Sequence, residues 1–157
     1  MKVIGYKWLQ VDPSPRRSGR VVLVSTYDAR EWMRGINVAS LEPSSDASWG
    51  FNAYISARRA RWNGQVYGTA LVGLTGFGTV ALYEHGWRAE KAEIVAICIP
   101  RLGRYRVVGD LPLTDVMARL QATYDVPVSR SLRDLKRETA RWGVSASIFL
   151  GGDFKTD

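Results

Sequence analysis

The densest group of chemically active side chains in this chain is the segment EHGWRAEKAE, residues 84–93. It contains the single histidine, His85, directly after Glu84. A histidine beside a carboxylate has the residue types of acid–base catalysis, because imidazole titrates near neutral pH. An exposed hairpin tip decorated with ion pairs has the same composition, and it is the more common arrangement. The catalytic candidates of the sequence are Tyr54, Glu84, His85 and Glu90.

Other patterns that carry chemistry are incomplete. A structural zinc site usually takes four Cys or His ligands, whereas this chain has one of each, so we predict no metal site. Cys98 lies in the apolar run IVAICI and is predicted to pack in the core. The segment GLTGFG, residues 73–78, resembles a phosphate loop but lacks the Lys-Ser or Lys-Thr that should follow it. We therefore predict a turn between two strands there.

The charge balance is strongly basic. The formal net charge is +7, and 17 Arg against 5 Lys supply the cations. This surplus favours an anionic partner such as an acidic protein, a nucleic acid or a nucleotide, although solubility alone is an alternative explanation. The predicted binding residues are Arg58, Arg59, Arg61, Trp62, Arg88, Arg133, Lys136, Arg137 and Arg141.

Length and composition indicate one folded domain over residues 1–157, with 46% apolar and 24% charged residues. No run reaches the 18 or so apolar residues of a membrane span, and MKVIGYKWLQVD lacks the apolar region of a signal peptide. We therefore expect a cytoplasmic protein without membrane contact, which means the host cytoplasm if a phage encodes it. The sequence leaves monomer and homodimer open.

The first half of the chain has the alternating, β-branched and aromatic pattern of strands. Strands are predicted over Lys2–Val11, Val21–Thr26 and Phe51–Ile55, with loops at 12–20 and 40–48. One or two helical turns are predicted over Asp28–Arg34 because the segment starts with Asp and is charged. Ser56 should cap a short helix over Ala57–Trp62, with Ala57 and Ala60 inward, the arginines outward and a closing turn at Asn63–Gly64.

The middle of the chain should contribute two strands, Val66–Leu74 and Phe77–Tyr83, separated by a break at Thr75–Gly76. A tight turn at His85–Gly86 then leads into a third strand, Arg88–Ile99. In that register Glu84 faces Trp87 and Tyr83 faces Arg88. The part from Glu93 to Ile99 is apolar on both faces, which indicates a central strand covered on both sides.

The last third changes from the period of strands to that of helices after a short strand over Arg104–Val108. Thr114 is predicted to cap one helix and Ser131 another. The apolar stripe of the first is Val116, Met117, Leu120 and Tyr124, and that of the second is Leu132, Leu135, Thr139 and Trp142. Ser147–Leu150 should form an edge strand. The predicted fold class is α+β: a mainly antiparallel sheet, a short helix after the Phe51–Ile55 strand and two C-terminal helices.

Three stretches, GFNAYIS, VALYEHGWRAEKAEIVAI and LQATYDVPVS, resemble a family of small uncharacterised proteins of actinobacteria and their phages. That family shares a Gly-x-x-Ala-Tyr segment and a GxVxL…EHGxRAExA-like block, here Gly78–Ala92 with a shorter spacer before Glu84. Its members often carry Cys or His ahead of the first segment, which this chain lacks. The resemblance covers about half of the chain and implies a phage or mobile-element context, but no activity.

GFNAYISARRARW followed by GTALVGLTGFGTV is similar in rhythm to the ADP-ribosyltransferase fold. That resemblance implies NAD as the cofactor, with Tyr54 and Ser56 along the nicotinamide pocket and Trp62 stacked on the ring. The first strand lacks the expected His or Arg unless Lys7 replaces it. The catalytic acid has no clear counterpart, because Glu84, Glu90 and Glu93 are all only candidates.

Three hypotheses follow. The first is a small basic accessory protein that acts by contact, as a phage-encoded inhibitor of a host protein or a binder of another anionic partner, without catalysis or a cofactor. The second is an ADP-ribosyltransferase-like enzyme that binds NAD or another nucleotide. The third is a nucleic-acid-binding protein. The sequence favours the first, because it offers no secure nucleophile or acid–base pair.

Overall fold

The computed structural model describes residues 1–13, 20–42, 49–64, 68–100, 111–149 and 153–156, with the backbone alone for 62–64 and 153–156. It confirms the α+β class with a mainly antiparallel sheet. The strands are β1 (Val3–Asp12), β2 (Val22–Ser25), β3 (Ile36–Val38), β4 (Phe51–Tyr54), β5 (Thr69–Leu82), β6 (Gly86–Cys98), β7 (Val128–Ser129), β8 (Val144–Ser145) and β9 (Asp153–Thr156). The helices are α1 (Ala57–Gly64), α2 (Leu113–Tyr124) and α3 (Leu132–Ala140).

Four of the strands pair in a closed ring. β1 pairs with β5, β5 with β6, β6 with β4, and β4 returns to β1 through Tyr6 and Tyr54, all antiparallel. The remaining described strands extend this ring: β2 and β8 on β1, β3 and β7 on β6, and β9 on β5. The ring is therefore the frame on which loops and helices are mounted.

The side chain of Trp87 fills the inside of this ring. It is 1% exposed, and its indole Nε1 donates a hydrogen bond to the Ile4 carbonyl at 2.9 Å. A Cβ on Gly5 would lie 2.4 Å from that nitrogen, and one on Gly76 would lie 2.7 Å from the ring carbons. The two glycines on β1 and β5 thus provide the space that the indole of β6 occupies.

Helices α1 and α3 cover one face of the sheet and meet it at alternate residues of β1. Trp8 donates from Nε1 to the Ala60 carbonyl of α1 at 2.6 Å. Tyr6 packs in the same buried cluster as Leu135 of α3. Because Tyr6 and Trp8 have the same parity along the strand, both helices lie on the same side of the sheet. Ala57, Ala60 and Leu135 bury against these aromatic residues in one cluster.

Helix α2 belongs to the other, larger apolar cluster. Val116, Leu120 and Tyr124 are buried as predicted, and the Tyr124 hydroxyl donates to the Trp32 carbonyl at 2.9 Å. The prediction that Thr114 caps this helix is wrong. Pro112 occupies the N-cap position without a side-chain cap, so Thr114 lies inside the first turn.

The predicted break in the middle of the chain is wrong. β5 runs without interruption from Thr69 to Leu82, and GLTGFG lies inside the strand rather than in a turn or a phosphate loop. The strand bends instead at two register shifts, one between Gly73 and Leu74 and one between Phe77 and Val80. Gly78 in the second has φ +81°, a conformation that glycine adopts without strain.

The β5–β6 hairpin is present, but its predicted register is wrong. Leu82 faces Trp87 and Ala81 faces Arg88. The Tyr83 amide donates to the Gly86 carbonyl at 2.8 Å, so the tip consists of Glu84 and His85. Gly86 is the first residue of β6 and pairs with Tyr54, and a Cβ there would lie 2.4 Å from the Ala53 carbonyl oxygen of β4.

Two further predictions are corrected near the chain ends. Asp28–Arg34 forms no helix: the Asp28 carboxylate accepts from the Arg30 amide at 3.1 Å, and Glu31 bridges to Val24. Such local side-chain bonds compete with helix formation. Residues Ala146–Phe149 form a 3-10 turn instead of an edge strand. β9 on β5 is the strand found in this last part of the chain.

Other predictions are confirmed. The Ser56 hydroxyl accepts from the Arg59 amide at 3.1 Å, and that of Ser131 accepts from the Asp134 amide at 3.3 Å. Residues 94–99 are buried on both faces. Burial raises the pKa of Cys98 to about 11, in agreement with a structural thiol.

Some predicted elements have different bounds in the structure, and others lie outside the described residues. Helix α1 ends at Gly64 and therefore includes Asn63 and Gly64, where a closing turn was predicted. Trp142 lies beyond the end of α3 and is 48% exposed, so it does not extend the buried stripe. Four predictions concern parts of the chain outside the described residues: the strand Arg104–Val108, the side chain of Trp62, Leu150, and most of the loops at 12–20 and 40–48.

Candidate functional site

A cleft of about 490 Å³ opens between β4 and the tip of the β5–β6 hairpin. Its walls are Asn52, Ala53, Tyr54, Tyr83, Glu84, His85, Gly86, Trp87 and Arg88. Three of the four catalytic candidates, Tyr54, Glu84 and His85, therefore lie in one place together with the binding candidate Arg88. Strand β4 and the hairpin converge on this cleft, although Tyr54 and Tyr83 lie 29 positions apart in the sequence.

Strand pairing explains how these side chains meet. Along β4, Phe51 and Ala53 are buried, whereas Asn52 is exposed and Tyr54 is half-buried. Asn52 lies directly opposite Arg88 on β6, and Tyr54 lies opposite Gly86. Residues that face each other across a strand pair have close Cβ atoms, so Asn52 and Arg88 share one face of the pair.

The Glu84–His85 pair lies at the exposed hairpin tip. The His85 Nε2 atom is 3.3 Å from Glu84 Oε1, and the two side chains are 44% and 85% exposed. An exposed pair of this kind contributes little to stability. Both groups face the cleft and are accessible, but no third described side chain is seen to orient the imidazole as a catalytic base requires.

Glu90 does not line the cleft. Its Oε2 atom accepts a hydrogen bond from the Thr79 amide at 3.2 Å. This bond satisfies the backbone at the register shift of β5 beside Gly78, which gives Glu90 a structural partner away from the cleft.

Lys7 is the residue at this site that the binding and catalytic predictions missed. Its ammonium donates to Asn52 Oδ1, and it lies close enough to Arg88 for their charges to interact. Burial, reinforced by Arg88, lowers the pKa of Lys7 to about 8. The available signal was a lysine between Gly5 and Leu9 in an otherwise buried strand.

A second candidate is the outer surface of α1 and α3, which we call the helical face. It carries seven cations, Arg58, Arg59, Arg61, Arg133, Lys136, Arg137 and Arg141, against two carboxylates, Asp134 and Glu138. All seven cations are exposed, as predicted. Most of the formal surplus of +7 is therefore found on this one side of the sheet.

The cations of the two helices differ in their partners. Arg137 pairs with Asp134 at 3.1 Å, and Arg141 pairs with Glu138 at 3.0 Å. α1 contains no acidic residue, and its three arginines form no ion pair with any residue that the structure describes. Arg133 and Lys136 of α3 likewise form no ion pair with a described residue, so α3 has both paired and unpaired cations, whereas all three arginines of α1 are unpaired.

Two further searches concern metals and membranes. Among the described residues, no three His, Cys, Asp or Glu side chains group closely enough to hold a metal ion. No helix in the described ranges is both long and apolar enough to cross a membrane.

No protein-family model matches the chain, and neither the curated proteins nor the solved structures contain a match.

Proposed function

We propose that this protein acts without catalysis, by binding an acidic partner protein through the helical face. The observation that carries the proposal is the row of exposed arginines on α1, Arg58, Arg59 and Arg61, without a carboxylate partner among the described residues. An uncompensated row of guanidinium groups attracts carboxylates over long range and engages them bidentately on contact.

The mounting of α1 supports this role. Ala57 and Ala60 are 2% and 0% exposed, and the Ala60 carbonyl accepts from Trp8. The helix backbone is therefore held on the sheet before a partner arrives, and only the arginine side chains need to become ordered. Such preorganisation lowers the entropic cost of binding.

A protein partner agrees better with this surface than a nucleic acid. Arginine is enriched at protein interfaces. The resemblance to small actinophage proteins supports a host protein as the partner.

Two defined probes test the proposal: a fluorescent poly-glutamate peptide and a fluorescent 20-base-pair DNA duplex, each titrated at several salt concentrations. We expect the peptide to bind, and the double variant Arg58→Glu/Arg59→Glu to lose that binding. The matched control is Arg20→Glu/Arg34→Glu, which changes the charge equally at exposed arginines outside the two helices. Equal losses in both variants would overturn the proposal, because they would report net charge alone.

The titration with DNA distinguishes a nucleic-acid partner from an acidic protein partner. Binding of the duplex that exceeds peptide binding and falls with salt by about one power per neutralised phosphate would replace the protein partner by nucleic acid. A pull-down from host lysate after nuclease treatment, with wild type and the α1 variant as parallel baits, then tests the partner directly. A stoichiometric protein retained by wild type and the control variant, but not by the α1 variant, is the expected result.

A further inference from the structure

The cleft at the hairpin has a cationic end, where the carboxylate of Asp28 acts on Lys7 as the weakest influence after burial and Arg88. Arg88 lines the cleft, and Lys7 lies beside it, bonded to the lining residue Asn52. Neither cation forms an ion pair with a residue that the structure describes. Two neighbouring like charges in partly buried positions repel each other, and a bound anion removes that repulsion.

The hydrogen bonds of this end leave donors available. The Nη1 atom of Arg88 donates to the Trp49 carbonyl at 2.8 Å, which anchors the guanidinium, while Nε and Nη2 have no partner in the described part of the chain. Lys7 can only donate, so the Asn52 atom that it contacts is the carbonyl oxygen, and the amide NH₂ of Asn52 remains a donor. Guanidinium and amide donors together match the lone pairs of an oxyanion.

The remaining walls indicate what carries the oxyanion. Two tyrosines, Tyr54 and Tyr83, line the cleft, and Tyr83 is 50% exposed. A volume of about 490 Å³ lies in the range of sites for small molecules. Aromatic walls favour a planar body, which packs on their faces. The Glu84 carboxylate is engaged with His85 at the exposed rim and does not pair with the two cations.

We propose that this cleft binds a small planar molecule through a carboxylate or phosphate group, held by Arg88, Lys7 and Asn52 and flanked by Tyr54 and Tyr83. The site is separate from the helical face: it lies between β4 and the hairpin, and its cations do not belong to α1 or α3. It therefore stands or falls independently of the proposed function.

Calorimetric titration tests this site with benzoate, phenyl phosphate, inorganic phosphate and NAD, and benzamide serves as the neutral analogue of benzoate. We expect benzoate or phenyl phosphate to bind and benzamide not to bind. Arg88→Gln and Lys7→Met should each weaken the charged probe about tenfold or more, the usual loss for one charge-assisted hydrogen bond. Arg58→Gln on α1 is the matched control and should leave the affinity unchanged.

The titrations also distinguish a phosphate ligand from a carboxylate ligand. Preference for phenyl phosphate over benzoate assigns the site to phosphates, and the reverse assigns it to carboxylates. Absence of binding by both aromatic probes overturns the proposal, as does inorganic phosphate or NAD binding that Arg88→Gln and Lys7→Met leave unchanged. Amide NMR shifts for Asn52, His85 and Arg88 on titration provide a readout in the wild-type protein, which remains decisive if a variant fails to fold.

Discussion

Helices α1 and α3 lie on the same face of the sheet and both direct basic side chains outward, yet they differ in charge compensation. On α3, Asp134 and Glu138 pair with Arg137 and Arg141. Helix α1 contains no acidic residue, so its arginines have no partner of this kind within the helix. The number of basic residues alone does not reveal this difference between the two helices. The ion pairs show that every arginine of α1 is unpaired among the described residues, whereas only Arg133 and Lys136 are unpaired on α3.

The attachment of the two helices differs as well, and the largest expected effect concerns α3. A Cβ on Gly73 would lie 1.9 Å from Thr139 Oγ1, so Gly73→Ala drives α3 away from β5. We expect a loss of about 3 kcal/mol in the free energy of unfolding, the upper part of the usual range for overpacking. Urea denaturation measures it. A loss below about 0.5 kcal/mol would show that α3 shifts without cost.

The next effect separates the charges of the two helices. Arg58→Glu/Arg59→Glu should weaken binding of a poly-glutamate peptide by about thirtyfold at low salt, if each reversal costs about 1 kcal/mol. Arg137→Glu/Arg141→Glu changes the charge equally on α3, where carboxylates already occupy these arginines. We expect a smaller loss there, and fluorescence anisotropy compares the two variants. Equal losses would remove the distinction between the helices.

Trp8→Phe tests the attachment of α1. The substitution keeps an aromatic ring against Ala57 and Ala60 but removes the donor to the Ala60 carbonyl. We expect unfolding to become easier by about 1 kcal/mol, the net value of one hydrogen bond. Thermal unfolding measures the loss, and Trp142→Phe is the control because that indole is 48% exposed. A similar loss in the control would refute the specific role of the Trp8 bond.

Removal of the compensating carboxylates should make α3 resemble α1. Asp134→Asn/Glu138→Gln frees Arg137 and Arg141 and should tighten peptide binding about threefold, the effect of a weak exposed pair or two. The same anisotropy assay checks it. Unchanged or weaker binding would mean that the peptide does not reach α3.

The last prediction extends the comparison to Lys7, whose pKa is lowered by burial and by Arg88 and raised by the carboxylate of Asp28. Its pKa is lowered to about 8 in the folded chain, below the ordinary 10.5, so above pH 8 the unfolded chain holds more protons. Stability must therefore rise with pH from 8 towards 10.5. Urea midpoints should rise from pH 8 to pH 9 more in wild type than in Lys7→Met. Cys98, whose pKa is raised from 9.0 to about 11, lowers stability from about pH 9 upward, but it does so equally in both proteins. Parallel midpoints in both proteins would contradict this.

The sequence predicted those features that depend on neighbours along the chain. The caps at Ser56 and Ser131 and the buried strand around Cys98 follow from short-range patterns, and all are confirmed. The helical face was also predictable, because the helical period places the arginines of α1 opposite Ala57 and Ala60.

The Thr114 cap and the Asp28–Arg34 helix were errors in local patterns. Other errors arose where the contact that explains a residue lies far away in sequence. Glycines in GLTGFG suggested a turn, yet Gly73 makes room for Thr139 and Gly76 makes room for Trp87. Lys7 was considered only within a resemblance, because its partner Asn52 lies 45 residues later. A local pattern does not encode such contacts, whereas the ion pairs of α3 join residues three apart and are visible in the sequence.

The closed ring around Trp87 has a consequence for how the protein opens. β1 is bonded on one side to β5 and on the other to β4 and β2, so none of the four ring strands can leave as a free edge. The amides that join β1, β4, β5 and β6 should therefore exchange with deuterium in a single slow class, through global unfolding. The hairpin tip is the turn between β5 and β6, and β3 pairs with β6 from outside the ring, so both should exchange much earlier, through local opening.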